Sequence, residues 1–124
     1  MSSFTKNLSI TQLKDRDLWR VDRAFKYHIG SEKSKDTINI PEGFVTNGAS
    51  IPRAFWSIVG HPFAEYAQAA VLHDYMYKHK LFWRKKCDKL FLEAMEVLKV
   101  SWIKRHTMYR AVRIFGWIPW RKEC

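Results

Sequence analysis

The sequence predicts one mainly helical domain with a small antiparallel β region: an N-terminal β-hairpin, an antiparallel pair of long helices and a C-terminal helix. Three observations predict it. The chain has 124 residues, which suits a single domain with one modest core. Apolar residues recur at helical spacing through its second half. Residues 17 to 46 instead carry β-branched and aromatic runs separated by turn residues.

Taken in order, LWRVDRAFKYHI, GSEKSKD, TINI and PEGFVT read as two or three short antiparallel strands around a Gly-Ser-Lys-Asp turn. From Pro62 the period changes: Phe63, Tyr66, Ala67, Ala70, Val71, Asp74 and Tyr77 line one long helix. A second helix is expected from about Lys85 to Lys99, its apolar face made by Leu90, Phe91, Ala94, Met95 and Leu98. The short connection from His79 to Trp83 makes the two antiparallel. A third helix is expected from Thr107, an N-cap residue type, through Phe115, stopped by Gly116 and Pro119. Residues 117 to 124 form a tail. No repeat, low-complexity tract or linker interrupts the chain.

Hydrophobic residues make up 47% and aromatic residues 15% of the chain, which excludes a disordered composition. No segment approaches the roughly 20 apolar residues of a membrane span, and the N-terminus lacks the basic start and apolar stretch of a secretory signal. Cys87 and Cys124 are too few for a disulfide framework and are expected as free thiols. The formal charge of +10 predicts attraction to polyanions, nucleic acid and anionic lipid among them.

The chemistry concentrates in HDYMY, residues 73 to 77. His73 and Tyr77 lie one helical turn apart on one face, with Asp74 about 100° away. A His-Asp pair on a helix is by itself an ordinary structural pair. Asp88, however, follows His73 by fifteen positions, and the midpoint between them falls in the connecting turn, so an antiparallel pair sets them level. Asp88 lies close in helical phase to Leu92 and Met95. A buried carboxylate needs a partner, and His73 is the nearest; the alternative is an acidic residue favoured by the helix N-terminus. The VTNGASIP segment, residues 45 to 52, carries an Asn47-Gly48 turn that exposes carbonyl oxygens suited to a hard cation. An ordinary turn is the alternative.

In this order TNGAS, GHPF, HDYMY and CDKLF resemble the phospholipase A2 superfamily, especially its small prokaryotic branch. That family has a calcium loop, a Gly-x-Pro-Phe lead-in, HDxxY on the first long helix and Asp-x-x-Phe on its partner. MYRAVRIFG also resembles the last prokaryotic helix. The resemblance covers roughly residues 44 to 116. Separately, TNGASIPRAFW with AAVLHDYMY is similar to a domain family common in bacteriophage genomes, with the pattern T[DN]GAS[IV]P then HDxxY, and this suggests a phage or prophage origin.

The residues themselves predict short strands over 17–46, outside the resemblance, which implies a calcium-type loop over 47–61 and a three-helix core over 62–116. It implies His73 as general base, Asp88 as the carboxylate orienting it and Tyr77 as a supporting tyrosine. Asp74, Asn47 and the Gly48 carbonyl are the implied calcium ligands. Two departures stand out. Asn47 replaces the loop aspartate and removes a charge, so calcium binding is expected to be weak. Ala49 and Ala70 stand where the family's cysteine pair joins loop to helix, which suits a reducing compartment.

The activity implied is calcium-dependent phospholipid ester hydrolysis, giving a lysophospholipid and a fatty acid. The expected partner is an anionic phospholipid membrane surface, with Trp117 and Trp120 beside Arg121 and Lys122 as interfacial anchors. The expected location is the host bacterial cytoplasm or the virion. A rival reading keeps the framework but not the catalysis, as a virion component or a binder of host protein or membrane. A His-Asp metallophosphohydrolase would need more ligands than His28, His61, His79 and His106 offer by their spacing. A nucleic-acid binder has the basic runs at 84–86 and 103–106 without a recognisable motif, so no specific nucleic acid is expected.

Overall fold

A computed structural model of the chain describes residues 3–13, 18–30, 36–46, 66–117 and 120. The chain divides into two compact units, Met1–Asn47 and Gly48–Cys124. The first is built from strands and the second from helices.

The strand unit corrects the expected fold class. In place of a single hairpin on a mainly helical chain, the described residues form six strands in two three-stranded antiparallel sheets, and three helices. The strands are β1 (Ser3–Phe4), β2 (Ile10–Gln12), β3 (Trp19–Val21), β4 (Phe25–His28), β5 (Thr37–Ile40) and β6 (Val45–Thr46). One sheet has the order β1-β4-β5 and the other β2-β3-β6. β1 and β2 escape a periodicity reading because two or three residues are too few to show alternation. They become strands by pairing, Ser3 with His28 and Ile10 with Val21. The continuous run LWRVDRAFKYHI also splits, since β3 and β4 belong to different sheets.

Alternation places the strand core. Phe25, Tyr27, Ile38 and Ile40 are buried, with Phe25 opposite Ile40 and Tyr27 opposite Ile38. Lys26 and Asn39, one residue out of phase, are exposed. Phe4 closes this face with ring contacts of 5.8 Å to Phe25 and 4.7 Å to Tyr27. In the second sheet Val21 and Thr46 are buried. The turn before β6 bonds Phe44 N–H to the Pro41 carbonyl, with Gly43 at φ +90°, the positive φ that the third position of a type II turn requires.

The helical unit contains α1 (Ala67–His79), α2 (Arg84–Val97) and α3 (Trp102–Phe115). α1 packs on α2 and α2 on α3. Ten residues of α1 are buried, from Ala67 round to Tyr77, so this helix is enclosed on nearly all sides. On α2 the buried stripe is Cys87, Leu90, Phe91, Ala94 and Met95, with Asp88 among them. The expected start of the first helix at Pro62 lies outside the described residues.

α3 begins five residues earlier than expected. Ser101 is its N-cap, accepting from Lys104 N–H at 3.4 Å. Thr107 lies inside the helix and donates its hydroxyl to the Ile103 carbonyl at 2.7 Å. The first turn was hidden because Trp102 and Ile103 are 61% and 65% exposed and carry no amphipathic signal. α1 and α2 both close with a lysine in the left-handed region, Lys80 at φ 45° and Lys99 at φ 62°. Leu81 N–H returns to Met76 and Val100 N–H to Met95, which satisfies the carbonyls that a helix end leaves open. No helix of the described residues is long and apolar enough to cross a membrane.

Candidate functional site

The hairpin of α1 and α2 puts His73 against Asp88, as their spacing predicts. The His73 ring Nε2 lies 2.7 Å from Asp88 Oδ1. His73 is 2% exposed and Asp88 is fully buried. Tyr77, one turn after His73, donates its hydroxyl to the same Oδ1 at 2.5 Å. The imidazole is held between two rings, with centroids 4.1 Å from Tyr77 and 4.7 Å from Phe91.

Burying a carboxylate costs several kcal/mol unless charge and hydrogen bonds compensate it. The second oxygen of Asp88 supplies that compensation through residues the sequence reading missed. Arg113 of α3 donates Nη1 to Asp88 Oδ2 at 2.8 Å, and Arg84 Nε lies 3.8 Å from the same oxygen. Arg84 also donates Nη2 to the Arg113 backbone carbonyl, which ties the start of α2 to the end of α3. One signal pointed to such a cation: a neutral imidazole cannot balance a buried carboxylate alone.

This arrangement fixes proton positions. A carboxylate oxygen accepts, so the His73 bond to Asp88 places a hydrogen on Nε2. Burial, reinforced by the hydrogen bond to Asp88, pushes the Tyr77 phenol above its ordinary range, and it remains a neutral donor. Cys87, next to Asp88 in the chain, is a buried free thiol. Burial pushes it up to about 11, so it is a poor nucleophile at neutral pH. Gly116 sits against the cluster: a Cβ there would lie 2.8 Å from the Tyr77 hydroxyl and 2.2 Å from the Val112 carbonyl oxygen.

The cluster thus unites His73, Tyr77 and Asp88. Asp74 lies elsewhere on α1, 8% exposed, with Lys78 Nζ at 3.6 Å from its Oδ2. Asn47 and Gly48, the other two expected calcium ligands, lie outside the described residues. Among the described residues no group of three or more His, Cys, Asp or Glu could hold a metal ion. Chemically, the described residues offer an imidazole oriented by a buried carboxylate whose other oxygen is paired with arginine.

Comparison with known proteins finds a family match. Residues 19–112 match the family described as "Protein of unknown function (DUF1353)". An uncharacterized protein of Sinorhizobium fredii (strain NBRC 101917 / NGR234), y4jT, is 35% identical over 96 residues. That alignment covers 73% of this chain and 29% of the Sinorhizobium protein. No solved structure matches.

Proposed function

The chain belongs to the DUF1353 family, whose description names no activity, and we propose from the His73 cluster that it is a phospholipase A2-like ester hydrolase. The observation that carries the proposal is the 2.7 Å contact from His73 Nε2 to a fully buried Asp88. With Nε2 committed to Asp88, Nδ1 takes a proton from a water molecule as that water attacks an ester carbonyl. Asp88 holds the tautomer and stabilises the imidazolium that forms. Tyr77 and Arg113 hold Asp88 in place by their hydrogen bonds. His73 then returns its proton to the departing alcohol oxygen. No covalent intermediate is needed.

The substrate in this reading is a phospholipid, split to a lysophospholipid and a fatty acid. Asp74 would hold a weakly bound calcium ion together with Asn47 and the Gly48 carbonyl. When bound, that ion would supply Lewis-acid stabilisation of the oxyanion. The net charge of +10 favours anionic membranes as the surface where substrate is met. A phage or prophage origin, acting in a bacterial cytoplasm or from a virion, belongs to the same proposal.

One observation favours a second reading. His73 is only 2% exposed, and its carboxylate partner is already balanced by arginine. Such a cluster also suits a silent framework that binds a host or virion protein or a membrane. The two readings separate in an assay of fatty acid released from phosphatidylglycerol vesicles, with calcium or chelator, by the protein and by His73→Ala. The hydrolase reading expects calcium-dependent release that His73→Ala abolishes. Absence of release at millimolar calcium would leave the silent framework.

A further inference from the structure

The antiparallel helices gather one end of the helical unit into an amphipathic surface. α1 ends there, α2 begins there, and the Arg84 bond to the Arg113 carbonyl brings the end of α3 alongside. Trp83 is 84% exposed, Leu81 40% and Trp117 48%. A cavity of about 570 Å³ opens at this end, lined by Lys80, Leu81, Phe82, Trp83, Lys86 and Trp120. That volume lies within the roughly 300–1,000 Å³ of small-molecule sites.

Its chemistry is selective. Among the described residues, four lining residues are apolar or aromatic, two are lysines, and none is acidic. Lys80 Nζ lies 4.0 Å from the centre of the Trp120 ring and donates to the Trp120 carbonyl at 2.7 Å. Lys86 Nζ lies 4.1 Å from the centre of the Phe82 ring. The polar side-chain atoms of the lining, ammonium and indole N–H, are all donors. A nucleobase or sugar would bring donors of its own and find no side-chain acceptor among the described lining residues. An alkyl chain ending in an anion brings none. Its tail matches the aromatic walls and its charge matches the two ammonium groups.

We propose that this cavity binds a single-tailed anionic amphiphile, an alkyl carboxylate, with the tail against Trp83, Phe82 and Trp120 and the carboxylate at Lys80 and Lys86. The site goes beyond the hydrolase reading and does not depend on it. It is joined to the His73 cluster by one ring, since Trp120 also packs edge-on against Tyr77 at 5.1 Å.

The test is calorimetric titration of the full chain with dodecanoate below its micelle concentration, in parallel with dodecanol, inorganic phosphate and phosphatidylglycerol vesicles. Because it reads binding rather than turnover, failure of hydrolysis leaves its result intact. Saturable 1:1 binding of dodecanoate is expected, weakened about tenfold or more in Lys80→Gln/Lys86→Gln and in Trp83→Ala. Lys86→Gln alone, an exposed change away from the Lys80 helix cap, gives a smaller loss with unchanged thermal unfolding. Equal binding of dodecanol, no saturable binding of dodecanoate, or binding to vesicles without binding to the monomer would each overturn the proposal.

Discussion

Two aspartates with nearly the same partners sit in the two units. Asp22, in the strand unit, accepts the Thr11 hydroxyl at 2.6 Å and lies 3.3 Å from the Arg20 guanidinium. Asp88, in the helical unit, accepts the Tyr77 hydroxyl at 2.5 Å and Arg113 at 2.8 Å. The Arg20 and Asp22 side chains are 49% and 28% exposed, whereas Asp88 is fully buried. Water screens the first pair, and exposed ion pairs contribute only about 0–1 kcal/mol. Screening is withdrawn from the second, so each of its partners becomes obligatory. The comparison teaches that the bonding list alone does not set how much a carboxylate depends on its partners; burial does.

Breaking the two clusters should therefore give unequal losses. Asp88→Ala leaves Arg113 and Arg84 without their counter-charge and is expected to cost about 3–5 kcal/mol in urea unfolding. Asp22→Ala should cost about 1 kcal/mol or less by the same measurement. Equal losses would break the comparison. Tyr77→Phe removes one donor from a buried acceptor and should cost about 1–3 kcal/mol. Gly116→Ala should fall in the same range, about 1–3 kcal/mol, because its methyl must displace the Tyr77 hydroxyl and the Val112 carbonyl. Lys99→Gly, in the left-handed cap, removes backbone strain of about 1–2 kcal/mol. Part of that gain is offset by glycine's entropy, for a net rise of about 0.5 kcal/mol.

The pH dependence of Cys87 gives a smaller, sharper readout. Its thiol is raised from an ordinary 9.0 to about 11 in the folded chain. Above pH 9 the unfolded thiol loses its proton while the folded one keeps it. The stability that this group contributes is therefore complete below pH 9 and lost as pH rises toward 11. In Cys124→Ser protein, iodoacetamide should modify Cys87 slowly at pH 8, with a rate that climbs toward pH 11. Rapid modification at pH 8 would contradict the burial of this position.

The helical hairpin was legible because both its signals are local. A period of 3.6 marked α1 and α2, and the fifteen positions between His73 and Asp88, centred on a short turn, set the two residues level. The strands were legible as a region over residues 17 to 46, most plainly in the four-residue β4 and β5. β1, β2 and β6 exist through partners elsewhere in the chain, which no local pattern announces. Arg113 was missed for the same reason. It reaches Asp88 across 25 positions, from the flank of a helix whose buried residues are Met108, Ala111 and Val112. Asp74 was read as lying about 100° from His73 around the helix, and its contact with Lys78 is an ordinary one-turn pair.

The central claim is that Asp88 fixes His73 as a base with its lone pair on Nδ1. Nitrogen-15 NMR of histidine-labelled protein at neutral pH, with His73 assigned by comparison with His73→Ala, reads this directly. The account predicts a His73 imidazole protonated at Nε2 with an unprotonated Nδ1, and loss of that fixed tautomer in Asp88→Asn. A His73 protonated at Nδ1, or a tautomer indifferent to Asp88→Asn, would contradict it.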